Sequence, residues 1–162
     1  MRRPRSLTGL APVALALTLL AGCGLQIPAD PDGTLDQVRE SGELRVGVSP
    51  HPPFTTLPEE PGGAPGGTEV DLMTSFAESV SAEPTWVVGG EEDLVRQLEE
   101  GEIQVLVGGL TAKNPHLTST GMTRPYATTQ EHGEQVKHVL AVVPGENALL
   151  SALERFLDGE GS

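Results

Sequence analysis

Between Thr34 and Leu157 the apolar positions switch between two periods, and the switches mark out the elements. Leu35, Val38 and Leu44 flank a polar stretch that stops at Ser41-Gly42, which predicts a short helix running into a strand at Leu44 to Val48 (LRVGV). Ser49 to Gly67 carries six prolines and reads as a long loop. Helical spacing returns at Val70, Leu72, Met73, Phe76, Ala77 and Val80, with Thr68 placed to act as the N-cap. Pro84 ends that helix, and Thr85 to Val88 (TWVV) is a strand-forming run. Glu91, Glu92 and Asp93 load the next helix start with acid, and Leu94, Val95 and Leu98 give it an apolar face as far as Gly101. Ile103 to Val107 is a third strand and Lys137 to Val143 a fourth; Glu146 to Leu157 closes the chain as an amphipathic helix with Leu149, Leu150, Leu153, Phe156 and Leu157 on one side. Strands alternating with helices in this way predict an α/β fold with a mostly parallel sheet flanked by helices. In such sheets ligands bind beyond the carboxyl ends of the strands, where the strand order reverses. Two loops qualify, Ser49 to Phe54 and Gly108 to His116.

The first 33 residues follow a different logic. Arg2, Arg3 and Arg5 precede an apolar run, Leu10 to Leu20, too short to span a bilayer and of the right length for a signal-peptide core. Leu20-Ala21-Gly22-Cys23 follows directly and resembles a bacterial lipobox, in which the cysteine is lipidated and becomes the new N-terminus. The expected organisation is therefore a lipoprotein signal peptide over 1–22, a lipidated tether over 23–33, and one folded lobe over 34–158, held at the extracytoplasmic face of the cell membrane by Cys23. Cleavage there leaves seven basic against 23 acidic residues, a balance of −16. A surface of that sign repels phosphates, which excludes nucleic acid as a partner class. A single cysteine excludes an internal disulfide. His132 and His138 lie six apart with no third ligand near them, so no metal site is expected, and no nucleophile motif, phosphate loop or dinucleotide fingerprint calls for a cofactor or an enzymatic role.

The two loops carry the candidate chemistry. Gly108-Gly109-Leu110-Thr111 lets the backbone approach a small ligand, exposes N–H groups and follows them with a hydroxyl, a set suited to a small anion; the alternative is a plain strand-to-helix turn capped by Thr111. Phe54, stiffened by Pro52-Pro53, is placed either as a platform for a ligand side chain or as cover for the core edge. His116 is the histidine of the second loop and binds an anion only when protonated. Arg124 offers a forked donor set either to a carboxylate ligand or to an internal acid. The acid runs Glu59-Glu60, Glu91-Glu92-Asp93 and Glu99-Glu100 read as solvated ends and loops.

Taken in order, Gly42-Glu43-Leu44-Arg45-Val46-Gly47-Val48, Pro52-Pro53-Phe54, Gly67-Thr68-Glu69-Val70-Asp71-Leu72, Val107-Gly108-Gly109-Leu110-Thr111 and Thr123-Arg124-Pro125-Tyr126 resemble the extracellular solute-binding proteins, family 3, which serve amino-acid-type ABC transporters. The resemblance implies a periplasmic-binding-protein-like (type II) lobe, a small polar, amino-acid-like solute, and a membrane permease as partner. It also implies that Phe54 flanks the solute side chain, that Gly109, Leu110 and Thr111 hold its carboxylate, and that His116 stands about where the family places an arginine. Gln104 likewise replaces an acid common in the family. Family members have two lobes, yet here Val139 to Leu157 already resembles the returning segment, so one lobe is expected. The alternative function is a sensor or regulatory subunit that no longer binds solute.

Overall fold

The computed structural model describes residues 30–58, 60 and 62–160. Cys23 and the expected signal peptide lie outside the described residues. Seven strands and four helices follow in the order α1 (Thr34–Ser41), β1 (Glu43–Val48), α2 (Thr68–Ser79), β2 (Glu83–Val88), α3 (Glu91–Glu99), β3 (Val105–Val107), a 3₁₀ turn (Pro115–Leu117), β4 (Gly121–Met122), β5 (Ala127–Glu131), β6 (Glu134–His138), β7 (Ala141–Val142) and α4 (Asn147–Glu160). The main sheet has the order β2-β1-β3-β7-β4. β1 pairs in parallel with β2 and with β3, while β7 runs antiparallel to both β3 and β4. Four of its five strands therefore point the same way, as the alternation of elements predicts.

The chain leaves β1 through α2 to β2 on one side, then returns through α3 to β3 on the other side of β1. Right-handed crossovers in opposite directions place the two helices on opposite faces. The order reverses between β1 and β3, so the loops after those two strands share one end of the sheet. The core between sheet and helices is built from Leu44, Val46 and Val48 of β1, Met73, Phe76 and Ala77 of α2, Leu94 and Leu98 of α3, and Leu149 and Leu153 of α4.

Several boundaries differ from expectation for local reasons. Gly67, not Thr68, precedes the first turn of α2, and no side chain caps that helix. Pro84 sits inside β2 instead of between elements; β2 is an edge strand, where a missing N–H costs no ladder bond. The apolar run Lys137 to Val143 forms two strands in two sheets: β6 ends at His138, the chain steps across through Val139 and Leu140, and β7 enters the main sheet. β5, with the polar sequence ATTQE, pairs with β6 through a two-residue turn at His132 (φ 50°) and Gly133 (φ 86°), both in the left-handed region that type I′ hairpin turns require.

The N-terminal end of the described chain is fastened to α4. The buried Glu146 carboxylate accepts the N–H groups of Asp32 (3.0 Å) and Thr34 (2.8 Å), and Asp30 accepts the N–H of Ala148. Burial by itself would raise the Glu146 pKa, but these backbone donors outweigh it and hold the carboxyl below its ordinary value. Asp30 and Asp32, at the end of the expected tether, are thus tied to the lobe.

Candidate functional site

The two loops that follow β1 and β3 meet, as the strand order requires. Gly109 is the point of closest approach. Its φ is +61°, and a Cβ there would lie 2.7 Å from the His51 ring and 2.8 Å from the Phe54 ring, so only glycine lets the loops touch. The first loop holds its shape through Thr55, whose buried hydroxyl accepts from the His51 N–H (2.9 Å) and donates to the Ser49 carbonyl. Pro52-Pro53 is a cis peptide bond that leads into Phe54.

Phe54 is half-buried, with one face on His138 at a centroid distance of 4.4 Å and His51 at 5.9 Å. His138 is fully buried, with Nδ1 3.3 Å from the Gly109 carbonyl and Nε2 2.8 Å from the Thr129 hydroxyl. Because a carbonyl only accepts, Nδ1 carries a proton in that contact. His138 thereby joins the hairpin, the Gly109 turn and the Phe54 ring into one unit.

Beneath the turn lies a carboxylate that sequence reasoning gave no role. Glu69, fully buried on α2, accepts the N–H groups of Gly108 (2.7 Å) and Gly109 (2.9 Å) on Oε2 and the Tyr126 hydroxyl on Oε1. Burial, and then the Glu69 charge, push the Tyr126 phenol well above its ordinary pKa, so it stays a donor. The signal for Glu69 was its spacing. Glu69, Met73 and Phe76 share the buried stripe of α2, and a carboxylate on such a stripe needs fixed donors.

Glu69 corrects one expectation: the N–H groups of Gly108 and Gly109 are internal supports and are not exposed to a ligand. Leu110 is also a core residue, and its carbonyl accepts the Val139 N–H. What the turn leaves unengaged among the described residues is the N–H of Leu110 together with the N–H and hydroxyl of Thr111. The donor set thus lies one step further along the chain than the two glycines, beside the Phe54 ring packed on Gly109.

His116 is not among the residues gathered there. It lies exposed on the 3₁₀ turn and lines a separate cavity of about 520 Å³ with Gly90, Glu91, Glu92 and Asp93. Asn114 fixes that turn by accepting the His116 N–H and donating to Glu91. Arg124 resolves to the internal alternative, pairing with Glu154 and Asp158 on α4. Gln104 is buried and accepts the Arg45 N–H at 2.8 Å. Among the described residues no group of three acidic, histidine or cysteine side chains is placed to hold a metal ion. No helix there is long and apolar enough to cross a membrane.

Comparison with known proteins bears on the family and the fold. Domain 1 of TmArgBP, solved in an arginine-bound form, superposes with a TM-score of 0.68 at 26% identity, covering 76% of this chain and 98% of that one. An ancestral cationic amino acid solute-binding protein gives a TM-score of 0.70 at 13% identity, over 79% of this chain and 93% of its own, a likeness of fold alone. Among curated proteins, the membrane-bound lytic murein transglycosylase F of Maricaulis maris is 41% identical over 100 residues, which is 60% of this chain and 21% of that protein. The cyclohexadienyl dehydratase of Pseudomonas aeruginosa is 29% identical over 124 residues, 76% of this chain and 44% of its own. The chain thus spans less than half the length of these curated relatives. The family model of the bacterial extracellular solute-binding proteins, family 3, matches residues 44–159, most of the described lobe, and the chain belongs to that family.

Proposed function

We propose that this chain is a lipid-anchored, extracytoplasmic substrate-binding lobe of an ABC-type transporter, and that it holds an amino acid or a similar small polar solute at the end of its sheet. The observation that carries the reading is the unengaged donor set at Leu110 and Thr111 beside the half-buried Phe54 ring. A carboxylate placed there accepts the two N–H groups and the Thr111 hydroxyl, Gly109 lets the Phe54 ring close against the turn, and the solute's own side chain lies along Phe54. The arginine-bound single domain of TmArgBP, matched over nearly its whole length, supports binding by one lobe alone.

Binding is supported over turnover by the two buried ionisable groups beneath the loops, both of which serve the scaffold. Glu69 already accepts three donors, and both His138 nitrogens are engaged, so neither is a free acid or base. The transglycosylase and dehydratase relatives extend well beyond the matched region.

Thermal unfolding of the full chain against a panel of amino acids, polyamines and small carboxylates tests this. A bound compound at a hundred times its dissociation constant adds about 2.7 kcal/mol of stability. Phe54→Ala is expected to reduce the shift and His116→Ala to leave it unchanged, because His116 lines a different cavity. Stable folding with no shift for any compound would favour the sensor or regulatory role instead.

A further inference from the structure

A carboxylate at Leu110 and Thr111 calls for positive charge, and the two basic side chains expected to supply it are placed elsewhere. Arg124 is paired with Glu154 and Asp158 on α4, and His116 lines a different cavity. The basic group hydrogen-bonded to the turn itself is the fully buried His138, whose Nδ1 lies 3.3 Å from the Gly109 carbonyl. That carbonyl and the Leu110 N–H belong to one peptide group, so the imidazole holds one end of the dipole whose other end is offered to the solute. A hydrogen bond to a carbonyl polarises its peptide and strengthens the donor at the far end, more so when the first donor is charged.

The surroundings of His138 satisfy the ring in either protonation state. With Nδ1 donating to Gly109, a neutral ring accepts the Thr129 hydroxyl at Nε2, 2.8 Å away. When Nε2 gains a proton, the hydroxyl reverses: it accepts from the ring and turns its own hydrogen towards Glu131 Oε1, 3.5 Å away. The Phe54 ring, 4.4 Å from the imidazole, packs against both forms and attracts the charged one. Charged and titratable groups stand around this ring on each neighbouring element. From α2 comes Glu69, which holds the Gly108 and Gly109 N–H groups and the protonated Tyr126 phenol. The hairpin brings Glu131, and the Thr111–Lys113 segment brings Lys113, which lines the neighbouring cavity with Lys137. The first loop brings His51, an exposed second histidine 5.9 Å from the Phe54 ring.

We propose that His138 is a positioning residue that supplies positive charge through the Gly109–Leu110 peptide group, and that the solute carboxylate binds together with a proton on that ring. The inference rests on the solute-binding reading above and deepens it by naming a source of charge and its regulation by pH. Coupling between two ligands is reciprocal, so the carboxylate draws the proton onto His138 and the proton tightens the carboxylate. Affinity therefore rises as pH falls through the range in which histidine side chains titrate, where lysine side chains keep their charge and carboxylates keep theirs.

Calorimetry on the full chain with glycine, L-leucine and L-glutamine, at about pH 5.5 and about pH 8 on either side of the ordinary histidine value, reads this linkage. Binding is expected to be about fivefold tighter at the lower pH, the scale for opposite charges held apart by a peptide group at an effective dielectric between those of a protein surface and water. At about pH 6.5 the heat should depend on the ionisation enthalpy of the buffer in the sense of proton uptake on binding. His138→Asn keeps a side-chain donor for the Gly109 carbonyl and should remove both effects. Glu131→Gln, a change at an exposed position, should reduce them, and His51→Gln should leave them in place. Where His138→Asn does not fold, the contrast between Glu131→Gln and His51→Gln decides which histidine takes up the proton. Affinity indifferent to pH, binding without proton uptake, or a pH effect lost in His51→Gln overturns the assignment to His138 and leaves amino-acid binding intact. No binding of any of the three probes at either pH overturns the solute-binding reading and this inference together.

Discussion

Glu69 shows how much one side chain fixes at this site. Its carboxylate sets the Gly108–Gly109 turn through two N–H groups and reaches Tyr126 at the entrance to the hairpin, so the turn and the hairpin base share one anchor. Gln in its place keeps an oxygen for the two glycine donors and an amide that the Tyr126 oxygen accepts; Ala removes every acceptor. Glu69→Ala is expected to cost about 3 kcal/mol or more, at roughly 1–3 kcal/mol for each of the three donors left without a partner, and Glu69→Gln about 1 kcal/mol or less. Urea unfolding of the two variants checks this, and equal losses would mean that the charge, not the donor count, matters. At this scale the site was partly legible. Phe54, Gly109 and Thr111 were readable because prolines, glycines and hydroxyls mark loops. Glu69 stood in plain view in the same stretch, but its partners are 39 and 57 residues away and no local pattern names them.

At the scale of elements, the helices and the three parallel strands were legible because each carries its own period. The hairpin was not. β5 has no apolar alternation to reveal it, and the run from Lys137 to Val143 looks continuous because a chain that leaves one sheet for another need not change its hydrophobicity. What distinguishes the two halves is partnership: His138 faces Thr129 and Gly109, whereas Ala141 and Val142 face β3 and β4. The junction of α1 with α4 was equally hidden, since Glu146 looks like an ordinary first-turn acid. Its lowered pKa makes the junction sensitive to pH. The stabilisation it gives is fully present above the ordinary carboxyl value of 4.5 and is lost as pH falls through the lower folded value. Glu146→Gln is expected to lower stability at neutral pH by about 1–2 kcal/mol, the scale of hydrogen bonds to a charged group. Its melting temperature should also fall less steeply than that of the wild type below pH 4.5. Parallel acid limbs in the two proteins would place the acid sensitivity elsewhere.

For the whole molecule, the proposed function asks the described lobe to hold a small ligand at an open end of a sheet. A ligand enclosed on fewer sides keeps more of its hydration and gains less from burial, so weak affinity is the natural expectation, and delivery then depends on where the protein is kept. Attachment at the membrane raises the effective concentration of the lobe at any membrane partner without a new contact. The Leu20-Ala21-Gly22-Cys23 sequence supplies the attachment in our reading, and two or three acyl chains hold a protein where a single chain does so only marginally. Expressed in bacteria with radiolabelled palmitate, the full chain is expected to take up label and to sediment with membranes through a high-salt wash. Cys23→Ser should lose the label while the melting temperature of the lobe stays the same, because the lobe's core begins beyond the tether at Thr34 and Leu35. Because the surface is strongly acidic, electrostatic adhesion to an anionic bilayer is excluded as an alternative hold. Label-free wild-type protein that still sediments would therefore point to a protein partner as the anchor. A labelled chain that binds solute no better or worse than the unlabelled variant would show that the anchor acts on location alone.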